Sequence, residues 1–223
     1  MEWRVDHAPA YSVLKVKLNP NEKIVTEPGA MVTTIGDIKV QTKMEGGVFK
    51  ALKRKFLGSE SAFMNTYIAG PNGGEVWLAP SVPGDIKYVE LKNQSISVQD
   101  MAYLAHHGDV TVDVAFRGFR GVLAEGEVFW LKISGTGGVW ICGYGGIDEI
   151  TLAPGQKVVI DNFHSIAIEE TVKWSIKKFG GWKTFLLGGE GLVIEAQGPG
   201  KIYVQSRVLP ELARLLTKFL PKK

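Results

Sequence analysis

The chain has 223 residues, 45% of them hydrophobic and 22% charged, and a formal net charge of +3. This composition fits one large globular domain or two small ones, and it argues against a nucleic-acid-binding protein with a dense basic surface. A single cysteine, Cys142, excludes an internal disulfide bond. The N-terminal segment lacks the basic and apolar regions of a signal peptide, and no apolar run approaches the roughly 18 residues of a membrane span. We therefore expect a cytoplasmic protein.

The first predicted element is a pair of short strands, and its pattern occurs three times. Residues 16–27, 89–100 and 150–161 align without gaps. Each begins with an apolar residue, a polar residue and leucine, passes through a polar hairpin-like turn and ends in an acid. If these acids converge they could bind a hard cation, and otherwise they cap their turns. The acids are Glu27, Asp100 and Asp161, and the same two interpretations apply to Glu60, Glu127 and Glu190.

A basic segment at residues 46–58 interrupts the β pattern. Its apolar residues recur at helical spacing, with cations between them: Phe49, Leu52 and Phe56 alternate with Lys50, Lys53, Arg54 and Lys55. This spacing predicts a short helix, and we favour packing of its apolar side on a β-core with the lysines in solvent. The alternatives are an anionic membrane surface that receives the apolar side chains, or contact with nucleic-acid phosphates.

A second short pattern is repeated at a constant interval of 63 residues. Glycine, any residue, apolar, aromatic, apolar occurs at 74–78, 137–141 and 200–204. The alternation of Val110, Val112 and Val114 has the period of two that indicates a strand. We therefore predict an all-β domain over residues 1–208, with repeats at about 10–80, 81–144 and 145–208. The repeats would bury their apolar faces against each other around a pseudo-threefold axis.

The tail at residues 209–223 predicts an amphipathic helix. Pro210 stands in its first turn, where proline is tolerated, and Pro221 ends the pattern. One face is apolar, and it consists of Leu212, Leu215, Leu216, Phe219 and Leu220. This stripe must be covered, and our first expectation is an oligomer interface. Its own subunit and a membrane are the alternatives.

The histidines are weak candidates for a zinc site. His106 and His107 are adjacent, so on a strand their side chains point to opposite faces, and His164 lies far along the chain. We favour exposed loop histidines over a shared site. Cys142 is flanked by apolar residues and is expected to be buried, and no nucleophile-elbow motif occurs. The sequence therefore predicts neither a catalytic site nor a cofactor.

Four segments resemble one protein family over nearly the whole chain. The segments are EPGAMV (27–32), LGSESAFMNTY (57–67), VVIDNFHSIA (158–167) and GPGKIYVQSR (198–207). They are similar to the bacterial and archaeal relatives of the mitochondrial biogenesis protein named for altered inheritance of mitochondria. The resemblance implies a fold like that of the tryptophan RNA-binding attenuation protein, a short double-stranded β-helix or β-sandwich, repeated three times. It also implies self-association. It implies no reaction. Because the mitochondrial relative is linked to inner-membrane organisation, it also suggests proximity to a membrane.

Together these features favour a non-catalytic, self-associating scaffold or binding module. We expect a homo-oligomer, with a trimer favoured, and an anionic membrane surface as a further partner. RNA binding by analogy of fold is the first alternative. A metal-dependent enzyme that uses the repeated acids or the histidines is the second.

Overall fold

A computed structural model describes residues 1–43, 64–117, 129–178 and 192–220. Most of these residues lie in strands, which confirms the predicted all-β fold with a short terminal helix. The strands are β1 (Glu2–Asp6), β2 (Val13–Leu18), β3 (Lys23–Thr26), β4 (Met31–Lys43), β5 (Met64–Leu78), β6 (Gly84–Gln99), β7 (Tyr103–Arg117), β8 (Phe129–Tyr144), β9 (Ile147–Leu152), β10 (Lys157–Asp161), β11 (Ser165–Glu169), β12 (Lys173–Lys178), β13 (Leu192–Gln197) and β14 (Gly200–Gln205). A short 3-10 helix (Asp100–Ala102) precedes β7, and the helix α1 (Leu209–Thr217) follows β14. The predicted basic helix at 46–58 lies outside the described residues.

The strands form one large sheet and one small sheet. The large sheet has the order β1-β2-β5-β3-β7-β8-β6-β11-β14-β9, with β4 paired to β5. The small sheet has the order β10-β13-β12. Neighbouring strands are antiparallel, and neither strand order closes on itself. The described strands therefore retain edges that carry unpaired backbone groups.

The two repeated sequence patterns pair with each other in a single register. In each pair the glycine lies opposite the leucine: Leu18 with Gly74, Leu91 with Gly137, and Leu152 with Gly200. Gly137 shows why glycine is needed, because an added Cβ would collide with the carbonyl oxygen of His107. Three equal registers are the arrangement that repeated sequence would produce. The pseudo-threefold axis itself stays a prediction.

The aromatic residue of the repeated glycine pattern fills a core position in two of the three copies. Trp140 and Tyr203 do so, and both are buried. Trp77 is only half-buried, and the ammonium group of Lys15 lies 3.7 Å from the centre of its ring. A cation over an aromatic face is favourable even near solvent. In the first copy of the pattern, the aromatic residue is therefore partly exposed and covered by a lysine.

The terminal helix is shorter than the predicted segment 209–223. It begins at Leu209 with Pro210 in its first turn and ends at Thr217, and turns continue to Leu220. The residue before a proline disfavours helical backbone, so Pro221 in the sequence limits the helix on this side. No residue of α1 is fully buried.

Candidate functional site

An apolar cavity of about 300 Å³ lies between α1 and the ends of the β-strands. We call it the helix cavity. Its β wall includes Val82, Met101, Ala102, Cys142, Phe163 and Ile166. Its helical wall consists of Leu209, Pro210 and Ala213. Concave apolar sites of this size are the usual places for an apolar ligand or a partner side chain.

Two glutamines line the helix cavity, and their side-chain amide groups form hydrogen bonds with backbone groups. The Gln99 Nε2 donates a hydrogen bond to the carbonyl oxygen of Asn162 at 2.8 Å. The Gln205 Nε2 donates to the carbonyl oxygen of Phe163 at 2.8 Å, and its Oε1 accepts from the backbone N–H of Tyr144 at 2.8 Å. These bonds join the turn after β10 to the ends of β6, β8 and β14. The polar groups of the wall therefore hold the wall together, and the surface offered to a ligand is apolar.

Cys142 is buried in the wall, as the sequence predicts. Its Sγ lies 3.8 Å from the carbonyl oxygen of Met101, to which the thiol donates. Burial strongly raises the pKa of the Cys142 thiol, and the nearby Glu27 carboxyl adds to the effect. Because the thiolate is the reactive form, this thiol is a poor nucleophile at neutral pH.

The three repeated acids do not act as one group. Burial, together with a smaller contribution from the neighbouring Asp100 carboxylate, raises the pKa of Glu27 to about 8. The Asp100 Oδ1 accepts from the N–H of Met101 at 2.9 Å, and the Asp161 Oδ1 accepts from the N–H of Phe163 at 2.9 Å. Asp100 and Asp161 thus bond to turn backbone, which is the simpler of the two sequence interpretations. Glu60, Glu127 and Glu190 lie outside the described residues.

Each of the three candidate histidines has its own partner. The His106 Nδ1 lies 2.7 Å from the Tyr103 hydroxyl, and the His107 Nε2 lies 3.0 Å from the Tyr88 hydroxyl. The His164 Nδ1 lies 2.6 Å from the carbonyl oxygen of Gln205. Across the described ranges, no group of three His, Cys, Asp or Glu residues is placed to hold a metal ion.

The expectation of exposed loop histidines is wrong for His106. This residue lies inside β7 and is buried, and burial lowers its pKa to about 4. His107, next to it on the strand, is half-buried against Trp140, with 5.2 Å between ring centres. The physical reason is that the His106 side chain points to the face of the sheet where the buried Tyr103 lies, with 5.9 Å between the ring centres.

The predicted apolar stripe of the tail is exposed. Leu212 is half-buried, while the rest of the stripe faces solvent, and Phe219 is 80% exposed. We call the exposed residues the helix stripe: Leu215, Leu216, Phe219 and Leu220. The predicted partner-binding residues of the basic segment, Phe49, Lys50, Lys53, Arg54 and Lys55, lie outside the described residues. In the part of the chain that the structure describes, no helix has the length and apolar character needed to cross a bilayer.

The fold and the site define an all-β protein with an apolar cavity beneath a terminal amphipathic helix. The chain belongs to the family Mitochondrial biogenesis AIM24, whose sequence model matches residues 3–207. This confirms the family resemblance found in the sequence.

Two similar proteins come from Streptococcus pyogenes. An uncharacterized protein of serotype M6 is 28% identical over 229 residues, which cover 99% of this chain and 92% of the relative. The chain is also similar to a crystal structure of an S. pyogenes protein determined by structural genomics. The TM-score is 0.81 at 26% identity, over 98% of this chain and 99% of the other. The similarity therefore extends over nearly the full length of both chains.

Proposed function

We propose that this protein is a non-catalytic module that associates with further copies of itself through α1. One observation supports the proposal. The helix faces the helix cavity with Leu209, Pro210 and Ala213, and it leaves the helix stripe in solvent. A helix of this length is only marginally stable alone in water, so burial of its apolar face would stabilise it.

The energetic gain from covering the helix stripe is substantial. Full burial of one leucine or phenylalanine side chain stabilises by about 1.5–3 kcal/mol. Four such residues are at least half exposed here. A few well-buried apolar anchors of this kind dominate the binding energy of many interfaces. A second copy presents the same stripe, so a twofold arrangement would cover both stripes at once.

A membrane surface is the second candidate partner. The helix stripe is accompanied by the exposed cations Arg214 and Lys218. Apolar residues on one helix face with basic residues beside them are typical of helices that lie on anionic membranes.

The mass of the protein in solution tests the proposal. Light scattering at micromolar concentration should show a homo-oligomer for the wild type, and its mass will report whether the predicted trimer forms. Phe219→Glu should give a monomer, because it places a charge in the helix stripe. Tyr11→Glu is the matched control, since it puts the same charge on an exposed aromatic residue outside α1.

A monomeric wild type would contradict self-association through α1. Sedimentation with anionic vesicles then decides the second candidate. Binding that falls with salt and is lost in Phe219→Glu would support a membrane partner, and absence of binding would reject it.

A further inference from the structure

Two strand junctions connect successive thirds of the chain in the large sheet. At the first junction, β3 pairs with β7 and Val25 lies opposite His106. At the second junction, β6 pairs with β11 and Val98 lies opposite Ala167. Both junctions are antiparallel.

In both junctions, the paired residues stand at the same sequence distances from the repeated acids. In each, the residue two positions before one acid lies opposite the residue six positions after the next acid. The same spacing predicts a third junction, which would join the last third of the chain to the first. It would place Val159 of β10 opposite Thr33 of β4, and Ile160 opposite Val32.

The structure leaves the two sides of this third junction open. Val25 and Val98, at the formed junctions, are 5% and 0% exposed, whereas the corresponding Val159 is 53% exposed. On the opposite side, Ala105 is 0% exposed at the first junction, whereas the corresponding Val32 is 51% exposed. Among the described strands, β4 pairs only with β5, and β10 pairs only with β13.

The open edge of β4 lacks charged side chains where it would pair, although its register with β5 shifts between Met31 and Thr33. Its first five residues, Met31 to Ile35, carry no charge, and three of them are exposed apolar residues: Met31, Val32 and Ile35. Proteins normally protect such an edge with charges, bulges or proline. The central residues of β10, Val158 to Ile160, are also apolar. An uncharged apolar edge is suited to receiving another strand.

We propose that β4 of one copy pairs with β10 of a second copy, in the register that the two internal junctions use. This inference rests on the proposed self-association and names a strand surface for it. The occupant is a second copy because the chain carries both edges and joins neither to the other. A tethered strand within reach would have a high effective concentration, so two open edges indicate that each is available to another molecule.

A twofold dimer would satisfy all four edges. Strand β4 of each copy would receive β10 of the other, which makes two identical junctions and leaves none of these edges unpaired. Val32 and Val159, now exposed, would be covered as their counterparts at the internal junctions are. Backbone hydrogen bonds would give affinity, and the apolar pairs would fix the register.

A disulfide between two separately prepared chains tests the proposal. Thr33→Cys protein and Val159→Cys protein are mixed under mild oxidation and separated without reductant. Residues opposite each other on antiparallel strands have Cα atoms about 4.5–5.5 Å apart, within the range of disulfides. We expect a covalent heterodimer at least about tenfold more abundant than in a mixture of Tyr11→Cys with Val159→Cys, because pairing raises the effective concentration of the thiols.

A formed junction supplies the internal control. Val98→Cys and Ala167→Cys in one chain should link within that chain, and the two single variants should not link when mixed, because this junction is already occupied. The wild type should give no product, since its only cysteine is buried.

Other outcomes would overturn the inference in distinguishable ways. If the wild type is an oligomer by light scattering but the mixture gives no heterodimer, α1 association stands and the strand pairing is wrong. If the double variant Thr33→Cys, Val159→Cys links only within one chain, the third junction closes internally and no second copy occupies it. If the heterodimer forms equally well in a Phe219→Glu background, the strand pairing stands and the proposed association through α1 is wrong.

Discussion

The two walls of the helix cavity are built in different ways. The β wall is held by directed hydrogen bonds, three of which join the side chains of Gln99 and Gln205 to backbone groups of other segments. The helical wall, α1, contributes Leu209, Pro210 and Ala213 and contains no fully buried residue. Local stability follows the density of buried contacts and satisfied hydrogen bonds. One face of the cavity is therefore a fixed part of the fold, and the other can open at low free energy.

The largest effect is expected from breaking the β wall. Gln205→Ala removes two hydrogen bonds and leaves the N–H of Tyr144 and the carbonyl oxygen of Phe163 without their partner. We expect a loss of about 3 kcal/mol in the free energy of unfolding, because each group left unsatisfied costs about 1–3 kcal/mol. Urea unfolding measures it. The exposed Gln94 gives the control, and Gln94→Ala should change stability by less than about 0.5 kcal/mol. Equal effects of the two variants would show that Gln205 does not hold the wall.

An intermediate effect is expected from the half-buried acid Glu27. The folded-state pKa of Glu27, about 8, is above its ordinary value of 4.5, so the folded state holds the proton more tightly. Stability should therefore fall as pH rises from 4.5 towards 8, and the loss should be complete above the folded-state pKa. Glu27→Gln cannot ionise, so it should be more stable than the wild type at pH 9 by about 2 kcal/mol, after allowance for partial exposure.

Unfolding at pH 5 and pH 9 separates the two causes of the Glu27 shift. Asp100→Asn removes the neighbouring charge, which is the second cause, and should reduce the loss of stability between the two pH values without abolishing it. A wild type that is equally stable at both pH values, with Glu27→Gln parallel to it, would show that the carboxyl titrates normally.

The smallest effect on global stability is expected from the helical wall. Ala213→Asp places a charge against the helix cavity and should detach α1, while the free energy of unfolding changes by less than about 1 kcal/mol. Hydrogen exchange should show loss of protection in residues 209–217 alone. Arg214→Asp, at the adjacent position, should retain that protection, because Arg214 does not line the helix cavity. Loss of protection that extends into β8 or β14 would mean that the two walls unfold as one unit.

The sequence predicts the architecture better than the site. Alternation in residues such as Val110 and Val112 predicts strands, and the apolar stripe predicts α1, because both patterns are local. The helix cavity is lined by residues as distant in sequence as Gln99, Phe163 and Ala213. The periodicity of the sequence does not predict that these residues lie close together in the fold.

The surroundings of single polar residues also escape prediction from sequence. His106 is buried because its side chain points to the face of the sheet where the buried Tyr103 lies, and Glu27 has a raised pKa because the fold buries it near Asp100. Both effects depend on how the fold places neighbouring residues. Asp161 was predictable, because an acid two residues before the N–H that it binds is a local turn feature.

The burial of the Cys142 thiol determines how the protein responds to oxidants. The chain has one sulfhydryl group, and this group is buried with a raised pKa. Thiolate formation and access to oxidant both limit cysteine oxidation, so glutathione, peroxide and disulfide exchange act slowly here. Thiol oxidation and disulfide exchange should therefore leave the fold and its assembly unchanged.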